Sequence, residues 1–162
     1  MARLSATNSF SAAGNTFAES AIVNSAAADG TPVANRVEPG KRPRSSMSPL
    51  LVFDRSNGQL LLSAGSPGGA MIIHFTAKTL YGVLNWGLEP QRAIDMPNFG
   101  ALNGPTLLEQ DRFSPATVTA LRARDHRVAE IALTSGLQAI LKTRTGLAGG
   151  ANPRREGVVL GD

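Results

Sequence analysis

Two apolar runs joined by a tight turn constrain the fold more than any other feature of this sequence. The runs are Leu50–Phe53 and Gln59–Ala64, and the segment between them ends in Asn57-Gly58. Asn-Gly supplies the positive φ angles that a hairpin turn requires. Because the runs are continuous rather than alternating, they predict strands buried on both faces, as in a sheet sandwiched between other layers.

A long helix is predicted directly after this hairpin. Gly65–Gly69 is a glycine-rich turn, and apolar residues recur at helical spacing from Ala70 to Trp86. Gly87 is a suitable C-terminal stop, because glycine tolerates the left-handed backbone that ends many helices. The broad apolar face predicts a largely buried helix. It consists of two adjacent stripes, one with Ile73, Ala77, Leu80 and Leu84 and the other with Ile72, Thr76, Thr79 and Val83.

The rest of the chain mixes short helices and short strands. Proline at a first helical position predicts a helix over Pro90–Asp95 and another from Ser114-Pro115 to about Arg124. We therefore expect an α/β chain, layered in the α+β sense, with an antiparallel sheet and helices packed on it. The predicted strands are Thr106–Glu109, then Val128–Leu133 and Leu137–Lys142 joined by a glycine-containing turn, and the predicted loops are Met96–Pro105 and Gly149–Gly157.

The N-terminal segment differs in composition from the remainder. Residues 1–35 are rich in Ala, Ser, Asn and Gly, with sparse apolar residues. Such stretches rarely specify a packed element. We expect a poorly ordered arm over residues 1–35, with a short helix around Thr16–Ala27, followed by one domain over residues 36–162.

Composition excludes several classes of protein. With 162 residues, 42% of them hydrophobic and 17% charged, the chain is long enough for one domain with a real core and too apolar for wholesale disorder. There is no Cys, which excludes disulfides, thiolate metal sites and a Cys nucleophile. No apolar run reaches the roughly 18–20 residues of a membrane span, and the first eight residues lack the hydrophobic region of a signal peptide.

The net charge of +4 is concentrated in two short clusters. Lys and Arg in such clusters attract phosphate or carboxylate groups. Only 5% of the residues are aromatic, so base-stacking platforms are scarce and no nucleic-acid partner is expected. The clusters are Lys41, Arg42 and Arg44, and then Arg154 with Arg155.

A proline-stiffened loop next to the first cluster carries paired hydroxyls. It reads Arg44-Ser45-Ser46-Met47-Ser48-Pro49. Adjacent hydroxyls beside basic side chains can bind a carboxylate or a phosphate, and a stiff loop loses little entropy on binding. The alternative is a polar loop whose serines cap their own backbone.

The turn Gly65–Gly69 is a second candidate anion site. Gly68 and Gly69 present backbone N–H groups at a helix start, where the helix dipole favours negative charge, including the oxyanion of acyl transfer. The alternative is an ordinary strand-to-helix turn; the nucleotide P-loop pattern is missing. Since antiparallel strands bring the serine loop and this turn to one sheet edge, we expect the two loops within about 10 Å of each other.

The titratable residues indicate no catalytic base or metal centre. His74 and His126 lie far apart in the sequence without metal-ligand spacing, and packing or solvent exposure is the favoured role for both. Asp95 and Glu109 are candidates by residue type only, and structural capping is favoured for Asp95. We expect no metal ion and no cofactor.

Four segments, taken together, resemble the γ-glutamyltranspeptidase (glutathione hydrolase) family over roughly residues 33–162. They are Asn35–Pro49, Gly65–Gly69, Asp95–Gly100 and Gly149–Gly157, in that order. The resemblance implies the αββα fold of N-terminal-nucleophile hydrolases, with a precursor that cleaves itself into a large and a small subunit. The new N-terminal Thr of the small subunit then attacks the γ-glutamyl amide, and the acyl group passes to water, an amino acid or a peptide.

The resemblance also implies roles for residues of the two loops. Ser45 and Ser46 would hold the α-carboxylate of a γ-glutamyl substrate such as glutathione. The backbone N–H groups of Gly68 and Gly69 would form the oxyanion hole.

This sequence departs from the family pattern at two points. No Thr-Thr-His-type start of a small subunit occurs in it, so the nucleophile is expected to be absent from this chain. The family's acidic residue before a Phe-Ser pair has its nearest match at Phe10-Ser11, which follows Ser9. We therefore expect the C-terminal part of a small subunit, whose partners are a large subunit and the remainder of the small one.

Two alternatives stay open at this stage. One is an inactive truncated remnant or partner-binding module, and the other is a basic anion-binding domain unrelated to γ-glutamyl chemistry. Family members are commonly periplasmic or secreted; without an export signal, the location of this chain is undetermined.

Overall fold

The computed structural model describes residues 29–32, 36, 38–41 and 48–161, together with the backbone of residues 5–8. A 3₁₀ turn, Gly69–Met71, precedes the first helix. The helices are α1 (Ile72–Leu84), α2 (Pro90–Asp95) and α3 (Pro115–Arg122). The strands are β1 (Ser5–Asn8), β2 (Leu50–Phe53), β3 (Leu60–Gly65), β4 (Phe99–Ala101), β5 (Thr106–Glu109), β6 (Val128–Ile131), β7 (Gln138–Lys142), β8 (Leu147–Ala151) and β9 (Gly157–Leu160).

The chain divides into two compact units. One comprises Met1–Ser9 with Met47–Asp162, and the other is Phe10–Ser46. In the second unit, Glu38 forms exposed ion pairs with Arg36 (2.9 Å) and Lys41 (2.8 Å). Across the described residues, no helix is both long and apolar enough to cross a membrane.

The expected N-terminal arm contains a strand. β1 pairs antiparallel with β9 through Ser5–Asn8, and the division of the chain into an N-terminal arm over residues 1–35 and one following domain stays a prediction. The helix expected around Thr16–Ala27 lies outside the described residues. A pairing between the two ends of the chain leaves no local pattern in the sequence, which is why composition did not reveal it.

The predicted hairpin is present at the edge of a four-stranded antiparallel sheet in the order β2-β3-β7-β8. The prediction that its strands are buried on both faces is wrong for β2. Burial alternates along β2, and the side chains of Leu51 and Phe53 are 61% and 55% exposed. Helices α1 and α2 pack on one face of the sheet. The core there includes Leu62 and Ala64 of β3, Leu137 just before β7, Ala139 of β7 and Phe75 of α1.

Helix α1 buries one of its two predicted apolar stripes. The stripe through Ile72, Thr76, Thr79 and Val83 packs inward with Phe75, whereas Ile73 is 69% exposed and Leu84 is exposed. In the first stripe only Leu80 packs against the core, and Ile73, Ala77 and Leu84 are exposed, so the prediction of a buried stripe is wrong for these three residues. Helical periodicity locates both stripes, but it does not decide which faces the sheet when apolar residues extend almost around the helix.

Three loop predictions are also corrected. β4 lies inside the expected loop Met96–Pro105, and β8 takes in the first part of the expected loop Gly149–Gly157. β6 pairs in parallel with β5, while β7 belongs to the four-stranded sheet, so these two segments are not a hairpin. Glycine lowers strand propensity, and β8 carries Gly150 for a packing reason.

That packing reason is the approach of α2. A Cβ at Gly150 would lie 2.7 Å from the backbone nitrogen of Gln91 and 2.8 Å from the carbonyl carbon of Pro90. Gln91 also exchanges hydrogen bonds with the backbone of Ala151, donating at 2.9 Å and accepting at 3.0 Å. α2 therefore lies directly on β8, backbone against backbone.

Gly150→Ala is expected to lower the free energy of unfolding by about 1–3 kcal/mol, because backbone must move to admit the methyl group. Urea unfolding followed by circular dichroism measures the change. Gly104→Ala is the matched control, since a Cβ at Gly104 meets no atom within 4 Å. Equal stability of the two variants would contradict the close packing of α2 on β8.

Candidate functional site

In the turn between β3 and α1, two consecutive amide groups donate no hydrogen bond to any residue that the structure describes. Gly68 has φ 142° and Gly69 has φ 57°, backbone conformations that favour glycine. The Gly68 carbonyl accepts from Met71 N–H at 3.1 Å, and the Gly69 carbonyl accepts from Ile72 N–H. Within residues 48–161 neither Gly68 N–H nor Gly69 N–H donates a hydrogen bond. Such a pair of donors at a helix start can stabilise an anion.

Glycine at position 68 is also required by packing. A Cβ there would lie 2.5 Å from Cε2 and 2.9 Å from Cδ2 of the buried Phe75 ring. The Phe75 ring thus packs directly against the turn. A larger residue at position 68 would clash with this ring and displace the turn from the core.

Ser66 and Gly136 hold the same turn from the side. The Ser66 hydroxyl donates to the Pro67 carbonyl at 2.7 Å and accepts from Gly136 N–H at 3.1 Å. A Cβ at Gly136 would lie 2.6 Å from Pro67 Cγ, so Gly136 and the proline ring are in close contact.

The serine loop is described only at its end. Ser45 and Ser46 lie outside the described residues. Ser48 Oγ lies 3.5 Å from Thr76 Oγ1 of α1, and Leu50 pairs with Ala64 across the hairpin. The start of β2 and the end of β3 therefore meet at one sheet edge, as predicted. The predicted approach of Ser45 and Ser46 to Gly68 and Gly69 stays a prediction.

A buried polar cluster that the sequence analysis missed lies between α2, β5 and the C-terminal segment. Glu109 and Arg154 form a nearly buried ion pair through Arg154 Nε and Glu109 Oε1, with a second bond of 2.7 Å from Nη2 to Oε2. Burial alone would raise the pKa of Glu109. The hydrogen bond from Arg154 and the backbone N–H of Asn98 outweigh it and hold that pKa below its ordinary value.

Three neutral side chains extend this cluster toward the glycine turn. Asn98 Nδ2 donates to the Leu133 carbonyl at 2.9 Å and to Ser135 Oγ at 3.0 Å. Asn152 Nδ2 also donates to Ser135 Oγ, and the Asn152 side-chain oxygen accepts from Arg154 N–H at 2.8 Å. All three are buried. They hold the Leu133–Gly136 segment that contacts Ser66 and Pro67.

Lys78 of α1 is a second buried cation beside Arg154. Its Nζ donates to the carbonyls of Ile94 (3.1 Å) and Met96 (2.6 Å). Arg154 donates to the same two carbonyls, at 3.2 Å and 3.1 Å. Burial, aided by the positive charge of Arg154, lowers the pKa of Lys78 from 10.5 to about 8.

This pKa predicts stability that rises with pH. Between pH 8 and 10.5 the unfolded chain binds more protons at Lys78 than the folded chain, so the free energy of unfolding increases across that window. Neutral Lys78 still has two N–H donors for its two carbonyls. From pH 8 to 10.5, the free energy of unfolding of the wild type should rise relative to that of Lys78→Met by no more than about 3 kcal/mol. Urea titrations at each pH measure this difference.

Lys142→Met serves as the control for that titration, because Lys142 is exposed and bonds only to Gln59 Oε1 among the described residues. The difference between Lys78→Met and the wild type should change with pH more than the difference between Lys142→Met and the wild type. Equal changes for the two variants would contradict the lowered pKa of Lys78.

The remaining titratable candidates occupy structural positions. His74 Nε2 accepts from Ala101 N–H at 3.3 Å, and His126 Nδ1 lies 3.0 Å from Thr106 Oγ1. Asp95 accepts from Gln91 Nε2 at 2.9 Å. Among the described residues, no group of three or more His, Cys, Asp or Glu side chains is placed to hold a metal ion.

Three residues of the buried cluster belong to motif segments noted in the sequence. Asn98 lies in Asp95–Gly100, and Asn152 and Arg154 lie in Gly149–Gly157. The two motifs therefore indicated that these segments matter, but nothing in the sequence indicated that the two segments lie in contact.

A protein-family model described as Gamma-glutamyltranspeptidase matches residues 9–162, a longer stretch than the resemblance noted from the motifs. The chain is 35% identical over 141 residues to a glutathione hydrolase proenzyme from a Pseudomonas strain, covering 79% of this chain and 24% of the relative. It is 36% identical over 123 residues to that of Escherichia coli, covering 75% and 21%. The chain thus spans about a fifth to a quarter of the length of these curated relatives.

The structural comparison agrees with the sequence comparison. The solved gamma-glutamyltranspeptidase of Pseudomonas nitroreducens is similar with a TM-score of 0.66 and 26% identity, covering 82% of this chain and 72% of that one. The expected layered fold, with antiparallel sheet and packed helices, is thereby confirmed as that of the N-terminal-nucleophile hydrolases. The chain belongs to the gamma-glutamyltranspeptidase family.

Proposed function

We propose that these 162 residues supply the substrate-carboxylate and oxyanion-binding part of a γ-glutamyltransferase/glutathione hydrolase. The reaction is acyl transfer or hydrolysis of γ-glutamyl compounds such as glutathione. The observation that carries the proposal is the pair of amide donors at Gly68 and Gly69, which have no acceptor within residues 48–161 and lie at the start of the 3₁₀ turn and α1. Donors aimed at a developing oxyanion are worth far more in the transition state than in the ground state.

Ser45 and Ser46 are proposed to bind the α-carboxylate of the γ-glutamyl group. Two hydroxyl donors suit a carboxylate, and the adjacent Arg44 adds positive charge. The family motif supports this assignment. A fixed carboxylate would place the γ-carbonyl of the substrate at a constant distance from the loop, as orientation in acyl transfer requires.

The Thr nucleophile of this reaction would come from a segment outside these residues. We propose the family's large subunit and the N-terminal part of its small subunit as partners. The exposed apolar side chains of β2 and α1, among them Leu51, Phe53, Ile73 and Tyr81, support an assembly. Clusters of exposed large apolar side chains mark interaction surfaces.

The same exposed surface favours the second candidate, a partner-binding module or inactive remnant. Such a chain would keep the fold and the docking faces without supporting turnover. The two candidates differ in whether the glycine turn and serine loop still function when a nucleophile is present.

A chimera separates the two candidates. The segment of the Escherichia coli relative that aligns with this chain is replaced by the corresponding residues of this chain. Self-cleavage of the chimera shows that it has folded, and release of chromophore from a γ-glutamyl anilide measures turnover. Turnover supports the proposal; a cleaved chimera without turnover supports the inactive remnant.

Two substitutions in the chimera should affect different kinetic parameters. Ser46→Ala removes a charge-assisted hydrogen bond, so it should weaken substrate binding by about 1.5–3 kcal/mol. The weaker binding should appear as a higher KM. Gly69→Leu disturbs an oxyanion donor and should lower kcat about 10²–10³-fold. Ser56→Ala, in the exposed hairpin turn, is the control. If Ser46→Ala changed kcat alone, the carboxylate role would be wrong.

A further inference from the structure

The Ser66 hydroxyl is placed to control the orientation of one peptide plane. It donates to the carbonyl oxygen of Pro67 at 2.7 Å. That carbonyl and the Gly68 N–H belong to the same trans peptide unit, so they point in opposite directions from one rigid plane. A hydrogen bond that fixes the Pro67 carbonyl therefore also fixes the direction of the Gly68 N–H.

We propose that Ser66 is a positioning residue that orients the Gly68 N–H for oxyanion binding. The inference rests on the proposed function, because it gives the Gly68 amide the role of an oxyanion donor. It adds a side chain to the proposed oxyanion hole, whose donors are backbone groups.

A Pro-Gly pair needs such a restraint. Proline at the second position of a turn is compatible with either orientation of the following peptide, and glycine at the third position accepts both negative and positive φ. The two orientations differ by a near-reversal of the Pro67–Gly68 plane, which would turn the Gly68 N–H to the opposite side. Gly68 at φ 142° occupies only one of them.

The hydroxyl is itself held in one orientation. Ser66 has a single O–H proton, and Gly136 N–H donates to its oxygen at 3.1 Å, which leaves the proton for the Pro67 carbonyl. Gly136 also contacts the Pro67 ring. The preceding residue, Ser135, is fully buried and accepts from Asn98 and Asn152. The restraint on Gly68 is thus anchored in the buried polar cluster.

The first test reads the orientation of Gly68 directly in the full 162-residue chain. Amide spectra of the ¹⁵N-glycine-labelled chain are recorded for the wild type, Ser66→Ala, Ser66→Thr and Ser63→Ala. The Ser63 hydroxyl of β3 makes no hydrogen bond among the described residues, so Ser63→Ala is the matched control. Ser66→Ala should displace or broaden the Gly68 resonance well beyond any effect of the control. Ser66→Thr, which keeps the hydroxyl, should restore it.

An unmoved Gly68 resonance in Ser66→Ala would overturn the inference, and so would a failure of threonine to restore the wild-type position. Thermal unfolding of each variant is measured in parallel. A displaced resonance with unchanged melting temperature separates control of the peptide plane from a general loss of structure.

The second test reads catalysis in the chimera. Ser66→Ala should lower kcat by at least about 10-fold, but by less than the roughly 10²–10³-fold loss that follows deletion of an oxyanion donor. KM should change less than about twofold. Ser66→Thr should keep the wild-type kcat. If Gly68 responds in the spectra while kcat is unchanged, the oxyanion role in the proposed function is wrong and the control of the peptide plane still holds. If neither responds, the Ser66 inference fails alone.

Discussion

A polypeptide of these 162 residues, assayed by itself with a chromogenic γ-glutamyl anilide, is expected to release no product above the uncatalysed rate. The proposed site has donors for a carboxylate and an oxyanion, whereas the Thr nucleophile is proposed to come from a segment outside these residues. Removal of a nucleophile typically costs several orders of magnitude in rate, and the oxyanion donors retain only a small part of the acceleration. The Escherichia coli relative, assayed in parallel, is the positive control.

The chimera makes this result informative. In the chimera, the same residues are combined with the Thr nucleophile of the relative. Turnover by the chimera would therefore show that the isolated polypeptide is inactive because it lacks this Thr. Normal turnover by the isolated polypeptide would instead require a nucleophile among its own Ser and Thr hydroxyls, and the proposed division of roles would be wrong.

Local signals predicted the elements of this fold that depend on local chemistry. Asn57-Gly58 and its flanking apolar runs gave the β2–β3 hairpin, and the predicted helix over Pro90–Asp95 matches α2. In α3, Ser114 accepts from Thr117 N–H at 3.1 Å, which is the capping bond expected of Ser before Pro. Each of these features is determined within a few residues of chain.

Features that depend on distant segments were not predictable in this way. The glycines of β8 indicated a loop because glycine disfavours strands, yet Gly150 is needed where α2 crosses. The face of α1 that is buried depends on how Phe75 packs against the sheet, and helical periodicity alone does not determine it. Of the candidate site, Gly68 and Gly69 were proposed from the turn alone, whereas the role proposed for Ser66 depends on its hydrogen bond with Gly136, 70 residues away.

The buried cluster shows the same limit most clearly. Glu109 was a candidate by residue type alone, and Arg154 was part of a basic pair. Forty-five residues separate them, and only the fold unites them in an ion pair that also joins α2 to the C-terminal segment. No periodic pattern or spacing encodes such a contact.

Arg154→Ala is expected to lower the free energy of unfolding by about 3–5 kcal/mol, because it leaves the carboxylate of Glu109 buried and unpaired. It also removes donors to the Ile94 and Met96 carbonyls. Urea unfolding at neutral pH measures the loss, and Arg122→Ala on the exposed face of α3 should change stability by less than about 0.5 kcal/mol. Arg154→Lys should not restore the wild type, since an ammonium group cannot reproduce the bidentate bond.

The double variant Glu109→Leu/Arg154→Met distinguishes the ion pair from simple packing. With both charges gone, no unpaired charge remains, so its stability should exceed that of Arg154→Ala by a clear margin.

The Glu109–Arg154 ion pair also makes stability depend on pH. Because the pKa of folded Glu109 lies below its ordinary 4.5, its stabilisation is complete above that pH and is lost as the pH falls through the lower folded value. Acid should therefore destabilise the wild type more than the double variant, and equal acid sensitivity would show that Arg154 does not hold Glu109 ionised.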